Sequence, residues 1–478
     1  MNTRFKYFLI TLVAIALFTP LLQFKLDLFE TAKLEGDLSI AQKPEFKKED
    51  YWNLKWQEDY TKYYNDNFGF RSWFVRLINQ FRFSFLNMAK APGVVIGKNG
   101  ELFIESYIDD YIGRNFIGRN KISENVNKIK TLQDSLKARG KDLVVVFAPG
   151  KASFYPELIP DTYINKKKDS TNYKMYADLF QKNSVNFIDL NKWFVDNKTK
   201  FKYPVYPKNG THWNHYGMSL ALDSLLKYIE KKRKINLPDF DFSVVNYNSN
   251  LKGNDYDVGI LLNLLSPVEK EACPYPAYKF KVTKGYTKPD VLVVGDSYWW
   301  CMVGDDLPIK FFREDEYWFY NKDQYIHNEK RAAIKDLNLS ASLVQRDVIV
   351  LMATEATFYM FPYGFVDRAY KLYCDDNSKR YKEITTDMLR NKEWFNSIVT
   401  KAIDNCLFVD EQIKRDAEFI ISDELFKYQE QIEKNIHDIK NNEQWMRDIK
   451  QKSKENGVSE EEQIKKDAQW LYEQNKKK

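Results

Sequence analysis

The chain has 478 residues, of which 44% are hydrophobic and 29% charged, and this composition excludes a disordered or collagen-like polymer. A mean hydropathy of −0.56 excludes a protein built from many membrane spans. The 73 basic and 67 acidic residues leave a net charge of +6, which over this length does not indicate a nucleic-acid partner. At roughly 150 residues per domain, the length predicts two or three domains.

The N-terminal segment has the pattern of an export signal. Arg4 and Lys6 precede an apolar run over residues 7–22, and no A-x-A cleavage site follows it at the expected distance. We therefore predict an uncleaved signal anchor over residues 1–24, a single span with its positive end in the cytoplasm and the body of the protein outside. A cleaved signal peptide and a buried helix remain alternatives.

Further along, apolar runs alternate with segments of helical periodicity, which predicts an α/β fold with a doubly wound, mostly parallel sheet. We expect a helical membrane-proximal region over 25–89 and a catalytic domain over 90–373, interrupted by an insertion at 234–288. Residues 374–478 are predicted to form a charged helical region. The predicted strands are 143–148, 185–190, 291–294 and 348–352, and the predicted helices include 120–139, 173–182, 214–231 and 332–344.

A candidate nucleophile follows the third predicted strand. Residues 291–298 read VLVVGDSY, so Ser297 comes directly after a buried strand, at the edge where open parallel sheets bind ligands. The backbone N–H groups that follow such a serine can stabilise an oxyanion. The alternative is a helix N-cap, because Asp and Ser both cap helices well.

A candidate general base precedes the helix predicted at 214–231. His212 lies in the segment KNGTHWNH, and a neutral imidazole at such a junction can accept the proton of a serine hydroxyl. Two alternatives stay open: a structural His–Trp pair, or a metal held by His212 and His215. No carboxylate stands at ligand spacing and the four cysteines form no C-x-x-C pair, so we predict no metal site.

Together these segments resemble the alginate O-acetyltransferase group of the AlgX and AlgJ type, whose domain is similar to SGNH hydrolases. The resemblance covers about residues 50–370. It is carried, in this order, by NDNFGFRSWFVRLIN (65–79), PGVVIGKNGELF (92–103), VVVFAPGKASFYPELIP (144–160), GTHWNHYG (210–217) and VLVVGDSYW (291–299).

The resemblance implies transfer of acetyl groups onto polysaccharide hydroxyls by a serine nucleophile, a histidine base and an orienting aspartate. Ser297 matches the nucleophile and His212 the base. It further implies a body in the periplasm, an inner-membrane anchor, and a multi-pass membrane acyltransferase that passes on acetyl groups from acetyl-CoA. No bound cofactor is expected, which agrees with the lack of a Gly-rich nucleotide loop.

One position departs from the family pattern. The pattern Asp-x-His-Trp puts an acid two residues before the histidine, and this chain has Gly210 there. We consider Glu355 the first candidate to replace it, because it follows the fourth predicted strand. Asp296 and Asp189 are further candidates, and a Ser–His pair without an acid is another possibility.

Three residues are predicted to serve the oxyanion or the substrate. Tyr298 and Asn214 are candidate donors, and Lys151 is expected either to hold an acidic sugar or to brace its loop. Trp299 and Trp300 are expected in the core rather than as a sugar platform. Cys301 is not expected to act as a second nucleophile.

Two other functions fit the same residues. A carbohydrate acetylesterase would use the same Ser–His chemistry with water as the acceptor. A non-catalytic domain that binds polysaccharide or scaffolds an export complex would explain Gly210.

Overall fold

The computed structural model describes residues 3–36, 39–281, 285–374, 377–456 and 459–476. Its strands are β1 (Val94–Ile96), β2 (Leu102–Ile104), β3 (Asp142–Phe147), β4 (Phe187–Asp189), β5 (Asp239–Asn248), β6 (Cys273–Lys281), β7 (Val291–Gly295), β8 (Glu316–Phe319), β9 (Asp323–Ile326), β10 (Glu329–Ala333) and β11 (Val348–Ala353).

Helices make up most of the remaining regular structure. In chain order they are α1 (Thr3–Leu26), α2 (Lys48–Trp52), α3 (Lys55–Asn67), α4 (Arg71–Leu86), α5 (Glu105–Tyr111), α6 (Arg119–Lys137), α7 (Lys151–Phe154), α8 (Asp161–Ile164), α9 (Asn172–Lys182), α10 (Leu190–Asp196), α11 (His215–Arg233), α12 (Asp257–Leu261), α13 (Trp300–Gly304), α14 (Pro308–Phe311), α15 (Leu339–Val344), α16 (Phe365–Tyr373), α17 (Asn377–Arg390), α18 (Lys392–Asp404), α19 (Val409–Lys440), α20 (Glu443–Asn456) and α21 (Glu460–Lys476).

The central sheet is mixed and has seven strands, in the order β10-β9-β8-β7-β11-β3-β4. The five strands from β8 to β4 run parallel, and β9 and β10 extend the β8 edge antiparallel. The sequence did not predict β8 or β9. It also placed a helix over 332–344, where β10 ends at Ala333 and α15 begins only at Leu339.

Helices cover both faces of this sheet, which explains the continuous apolar runs of its central strands. In β3, Val144 and Val146 pack into one hydrophobic cluster with α11 and α13. Leu143 and Val145 point into the opposite cluster, with α6, α9 and α16. The carboxyl ends of β7, β11 and β3 therefore open at one edge of the sheet.

The predicted insertion contains a long hairpin. Strands β5 and β6 pair antiparallel outside the main sheet, and the segment between them holds the short helix α12. Part of the predicted insertion, residues 282–284, lies outside the described residues.

Helix α1 is the one described helix that is long and apolar enough to cross a membrane by length and composition. It has 24 residues and contains Pro20. A signal sequence near the N-terminus has the same properties.

Candidate active site

Ser297 stands at the carboxyl end of β7, where the strand turns sharply into a short 3-10 helix over Ser297–Trp299. Gly295, the last residue of β7, allows the neighbouring strand β11 to approach closely, because a Cβ there would lie 3.0 Å from Cβ of Met352. The serine is half-buried, so its hydroxyl lies at the sheet edge within reach of solvent.

Asp296 holds this turn in place. Its Oδ1 accepts a hydrogen bond from the backbone N–H of Tyr298 (3.2 Å), as an N-cap does. Its Oδ2 accepts three more, from the backbone N–H and hydroxyl of Thr354 and from the Thr357 hydroxyl. The carboxylate is therefore fully engaged in joining the ends of β7 and β11, and Asp296 is not the acid partner of His212.

His212 reaches the serine from the loop before α11. Its Nε2 lies 2.8 Å from Ser297 Oγ, although 85 positions separate the two residues in the chain. Asn214 fixes the start of the helix: its side chain accepts from the backbone N–H of Gly217 (2.9 Å) and donates to the Pro204 carbonyl (2.8 Å). Asn214 is buried and has this structural role, so the prediction that it binds substrate is not supported.

The acid beside His212 is Asp257, which the sequence did not predict. Oδ2 of Asp257 lies 2.5 Å from Nδ1 of His212, and its Oδ1 accepts the backbone N–H of Thr211 at 2.9 Å. With the Nδ1 proton directed at the carboxylate, Nε2 is left to accept the proton of Ser297. Ser297, His212 and Asp257 thus have the geometry of a Ser-His-Asp triad.

The same loop explains why position 210 is glycine. A Cβ there would lie 2.7 Å from the Asn254 carbonyl oxygen and 2.7 Å from Cγ of Pro207. The segment that carries Asp257 therefore occupies the space that a side chain at 210 would need. In this chain the carboxylate that contacts His212 therefore belongs to Asp257 of α12, in the insertion, and not to the histidine loop.

Glu355 lies in a different part of the site, and the prediction that it pairs with His212 is wrong. Its Oε1 bonds to the Ser153 hydroxyl and to Asn191, and its Oε2 would lie 2.2 Å from a Cβ at Gly150. Burial is the main cause that raises the pKa of Glu355 to about 7. Asp189 is also elsewhere: it caps α10 by accepting the backbone N–H of Lys192.

Lys151 is wholly buried and braces the histidine loop. Its ammonium group forms an ion pair with Glu101 (2.8 Å), and four backbone carbonyl oxygens also lie within hydrogen-bond distance and share its three N–H groups. Those acceptors belong to Leu102, Pro207, Lys208 and Gly210. Burial lowers the pKa of Lys151, and Glu101 opposes that shift. The structure thus favours the bracing role over the binding of an acidic sugar.

Tyr298 links the segment that carries Ser297 to the segment that carries His212. Its hydroxyl donates to the backbone carbonyl of Thr211 (2.7 Å), and its ring packs 4.9 Å from the imidazole of His212. The side chain is fully buried and its backbone N–H is bonded to Asp296, so Tyr298 positions His212 and is not a donor to sugar or oxyanion.

The neighbours of the nucleophile have different roles. Trp299 is buried, whereas Trp300 is half-buried with its ring against Tyr325. Burial raises the pKa of Cys301 to about 12, which agrees with an inert thiol.

His215 pairs with Asp305 (2.7 Å), and its ring packs 5.3 Å from that of Tyr275. Burial lowers its pKa, but the hydrogen bond and the charge of Asp305 outweigh burial and raise it. Among the described residues, no group of three or more His, Cys, Asp and Glu side chains is placed to hold a metal.

Tyr320, just past β8, is a neighbour of Ser297 that the sequence did not reveal. Burial, followed by the charge of Asp296, raises the pKa of the Tyr320 hydroxyl to about 12. Contacts with the side chain and backbone of Ser297 lower the pKa and oppose part of this shift. The hydroxyl therefore keeps its proton at neutral pH beside the candidate nucleophile.

Residues 94–299 match the family model described as "SGNH hydrolase-like domain, acetyltransferase AlgX". The probable alginate O-acetylase AlgJ of Pseudomonas putida is 24% identical over 150 residues, which are 30% of this chain and 36% of that protein. AlgJ of Pseudomonas aeruginosa is 26% identical over 152 residues, 32% of this chain and 37% of its own length. The chain thus spans little more than a third of these two curated relatives.

Two solved structures are similar over larger shares of the chain. The O-acetyltransferase domain of Pseudomonas putida AlgJ has a TM-score of 0.39 at 17% identity, covering 58% of this chain and 98% of that structure. PatB1 of Bacillus cereus has a TM-score of 0.34 at 13% identity, covering 50% and 91%. The family match spans the histidine loop, α12 and the serine turn, and it confirms that residues 94–299 resemble the AlgX and AlgJ group.

Proposed function

We propose that the protein is a membrane-anchored O-acetyltransferase that carries an acetyl group on Ser297 and transfers it to hydroxyls of an extracytoplasmic polysaccharide. The observation that carries the proposal is the continuous chain of contacts from Ser297 through His212 to Asp257. The names of the relatives, alginate O-acetylases, point to the same chemistry and to a polysaccharide acceptor.

In the first half-reaction, Ser297 Oγ attacks the carbonyl carbon of the acetyl donor while its proton passes to Nε2 of His212. The bond to the donor's leaving group then breaks, and that group takes the proton from Nε2. Asp257 stabilises the imidazolium that forms in between and keeps the ring in the required orientation. The product is an acetyl ester on Ser297.

The second half-reaction repeats these steps with a sugar hydroxyl. Nε2 of His212 accepts the proton of the hydroxyl as its oxygen attacks the acetyl carbonyl carbon. The ester bond to Ser297 breaks, and Oγ recovers its proton from the imidazolium. The acetyl group leaves on the sugar and the enzyme returns to its starting state.

The oxyanion formed in both steps needs donors on the side of Ser297 away from His212. We assign the backbone N–H of Ser297 and the hydroxyl of Tyr320 to this role. Burial and the charge of Asp296 hold the pKa of Tyr320 near 12, so this hydroxyl is a neutral donor at working pH. Losing one such donor commonly costs 10²–10³-fold in rate, and we expect about that loss in Tyr320→Phe.

The donor is expected to come from acetyl-CoA through a multi-pass membrane acyltransferase, with this chain held at the inner membrane and its body in the periplasm. The apolar helix α1 supports the anchor. Asp257 removes the reason for expecting a degenerate, non-catalytic domain, because Gly210 no longer leaves the histidine without an acid.

An acetylesterase differs only in the acceptor, so the test measures where the acetyl group goes. The full chain is given p-nitrophenyl acetate with and without an acetyl-free polysaccharide, and acetate and acetylated glycan are both quantified. We expect acetylated glycan from the native chain and none from Ser297→Ala. Release of acetate with no acetylated glycan, across several polysaccharides, would identify an esterase instead.

A further inference from the structure

Helix α4 presents its apolar side chains to the outside of the protein. Seven large apolar residues on it are between 42% and 76% exposed: Trp73, Phe74, Leu77, Ile78, Phe81, Phe85 and Leu86. At 100° per residue the first six share a single arc of about 140°, and Leu86, the last residue of the helix, lies outside it. We call this arc the α4 apolar face.

The opposite, more polar side of α4 is the side that packs on the protein. The buried side chain of Asn79 donates to the Leu262 carbonyl (3.0 Å), and Gln80 accepts the backbone N–H of Ser266 (2.9 Å). The guanidinium of Arg76 donates to two more backbone carbonyls. This is the reverse of a helix on a water-soluble protein, which buries its apolar stripe. A contiguous exposed apolar face of this kind marks a site of interaction.

The start of α4 packs against the C-terminal part of α1. A Cβ at Gly69 would lie 2.1 Å from the Pro20 carbonyl oxygen, so the chain before α4 is in direct backbone contact with α1. The ring of Phe24 contacts Tyr63 and Tyr64 of α3 at about 6 Å. The N-terminal end of α4 therefore lies beside the last turns of the candidate membrane span, Thr3–Leu26.

The composition of α4 fits a lipid surface. The helix contains no Asp or Glu, and four of the six residues of its apolar face are aromatic. Of its three arginines, Arg76 bonds to the protein and Arg71 pairs with Asp66 (3.3 Å), which leaves Arg82 as the candidate contact for anionic headgroups. Helices that lie in the membrane interface combine an aromatic and aliphatic face with cations beside it. The contact with α1 favours a lipid surface over a protein partner, because it places α4 next to the candidate membrane span.

We propose that α4 lies in the interface of the lipid bilayer beside α1, with the α4 apolar face at the boundary between headgroups and acyl chains. The proposal rests on the anchor role of α1 within the proposed function, and it is independent of the serine chemistry.

This placement also locates the active site. Phe83 on the inner side of α4 packs into the cluster that contains Val258 and Leu262 of the α12 segment. Asp257 is the first residue of α12, and five helical residues span only about 7 Å. A lipid-bound α4 therefore holds the triad close to the membrane surface, where a donor handed across the bilayer would arrive.

The test measures the environment of the α4 apolar face in the full chain. Nitroxide labels are attached at Leu77→Cys or Phe81→Cys, in a chain with Cys374 and Cys406 replaced by serine. Burial raises the pKa of the remaining thiols, Cys273 and Cys301, to about 12, so they stay protonated during labelling. The protein is reconstituted in vesicles of phosphatidylethanolamine and phosphatidylglycerol, and collision rates with oxygen and with a water-soluble nickel chelate are compared.

Two reference positions calibrate the result. Ile15→Cys on α1 reports the anchor, and Leu389→Cys on α17, 58% exposed, reports an apolar residue in water. The quantity compared is the ratio of the oxygen collision rate to the nickel collision rate at each label. We expect this ratio at 77 and 81 to be at least five times the ratio at 389. Near-UV circular dichroism of each variant verifies that it folds, and Phe85→Cys replaces any that does not.

Three outcomes would overturn the proposal. Nickel access at 77 and 81 equal to that at 389, with Ile15 in lipid, would leave the anchor intact and place the α4 apolar face in water. Low collision with both reagents would mean that the face is covered by protein, such as a second copy. A label at Ile15 exposed to nickel would remove the anchor itself, and with it the basis for a lipid-bound α4.

Discussion

Asp257 lies 2.5 Å from Nδ1 of His212, although it follows the histidine by 45 positions and belongs to a hairpin insertion outside the central sheet. Its second oxygen accepts the backbone N–H of Thr211, so one carboxylate fixes both the imidazole and the loop that carries it. The carboxylate that pairs with His212 in this chain therefore comes from a different segment from the one that the Asp-x-His-Trp pattern indicates.

Asp257→Asn is expected to slow acylation of Ser297 by about 10⁴-fold without unfolding the protein, because an amide neither stabilises the imidazolium nor fixes the correct tautomer. Stopped-flow release of p-nitrophenol from p-nitrophenyl acetate measures this rate. Glu355→Gln is the matched control. It removes a carboxylate that lies with Ser153 and Asn191, and it should keep the native rate within about two-fold.

Placing an acid at position 210, where the family pattern has it, should not rescue the Asp257→Asn variant. In Gly210→Asp combined with Asp257→Asn, the new side chain meets the Asn254 carbonyl and Pro207 at 2.7 Å. Overpacking of this kind costs about 1–3 kcal/mol, so we expect a lower urea midpoint and no recovery of acylation. Recovery to within ten-fold of the native rate would mean that the loop around residue 254 adapts, and that Gly210 is not dictated by packing.

Lys151→Met should destabilise the protein through the histidine loop. The substitution removes the ion pair of Glu101 and the three N–H groups that the surrounding backbone carbonyls share in a buried site. Breaking such a buried pair costs about 3–5 kcal/mol. Urea unfolding monitored by tryptophan fluorescence measures the loss. Lys182→Met, which removes an exposed pair with Asp178, should leave the midpoint unchanged. An unchanged midpoint in Lys151→Met as well would refute the bracing role.

Burial of Glu355 predicts a pH dependence of stability. Its pKa is about 7 in the folded protein and about 4.5 ordinarily, so the folded state holds a proton that the unfolded state releases. The free energy of unfolding should therefore fall by on the order of 3 kcal/mol as pH rises from about 4.5 to about 7, and it should level off above pH 7.

The pH prediction is tested by urea unfolding at pH 5, 6, 7 and 8. Glu355→Gln should reduce the slope between pH 5 and 7 without abolishing it, because burial also raises the pKa of Asp110 to about 7. An identical slope in the native chain and the variant would show that Glu355 does not hold a proton in the folded state.

The sequence predicted the parts of the fold that have a local pattern. Apolar runs buried on both faces identified β3, β7 and β11, and the turn after β7 pointed to Ser297. The mixed edge of the sheet had no such pattern. Strands β9 and β10 are polar and partly exposed, and the last two residues of β10 fell within the helix predicted at 332–344.

The acid of the site could not be found in this way, because nothing local distinguishes Asp257 from other surface carboxylates. Its role depends on how a hairpin outside the sheet folds back over Gly210, which is a tertiary contact. Glu355 was preferred because it follows a strand at the correct edge, but that edge is wide enough to hold two separate polar groups. The Asn254 carbonyl and Pro207 leave no space for a side chain at position 210, so the acid has to come from another segment. This packing cannot be read from the sequence.

The most direct test of the proposed mechanism is peptide mass spectrometry of the full chain after brief incubation with p-nitrophenyl acetate. We predict an added acetyl mass of about 42 Da on the peptide containing Ser297 in the native chain, with strongly reduced labelling in His212→Ala and in Asp257→Asn. Equal labelling of Ser297 in all three proteins, or an acetyl group found only on other residues, would contradict the triad.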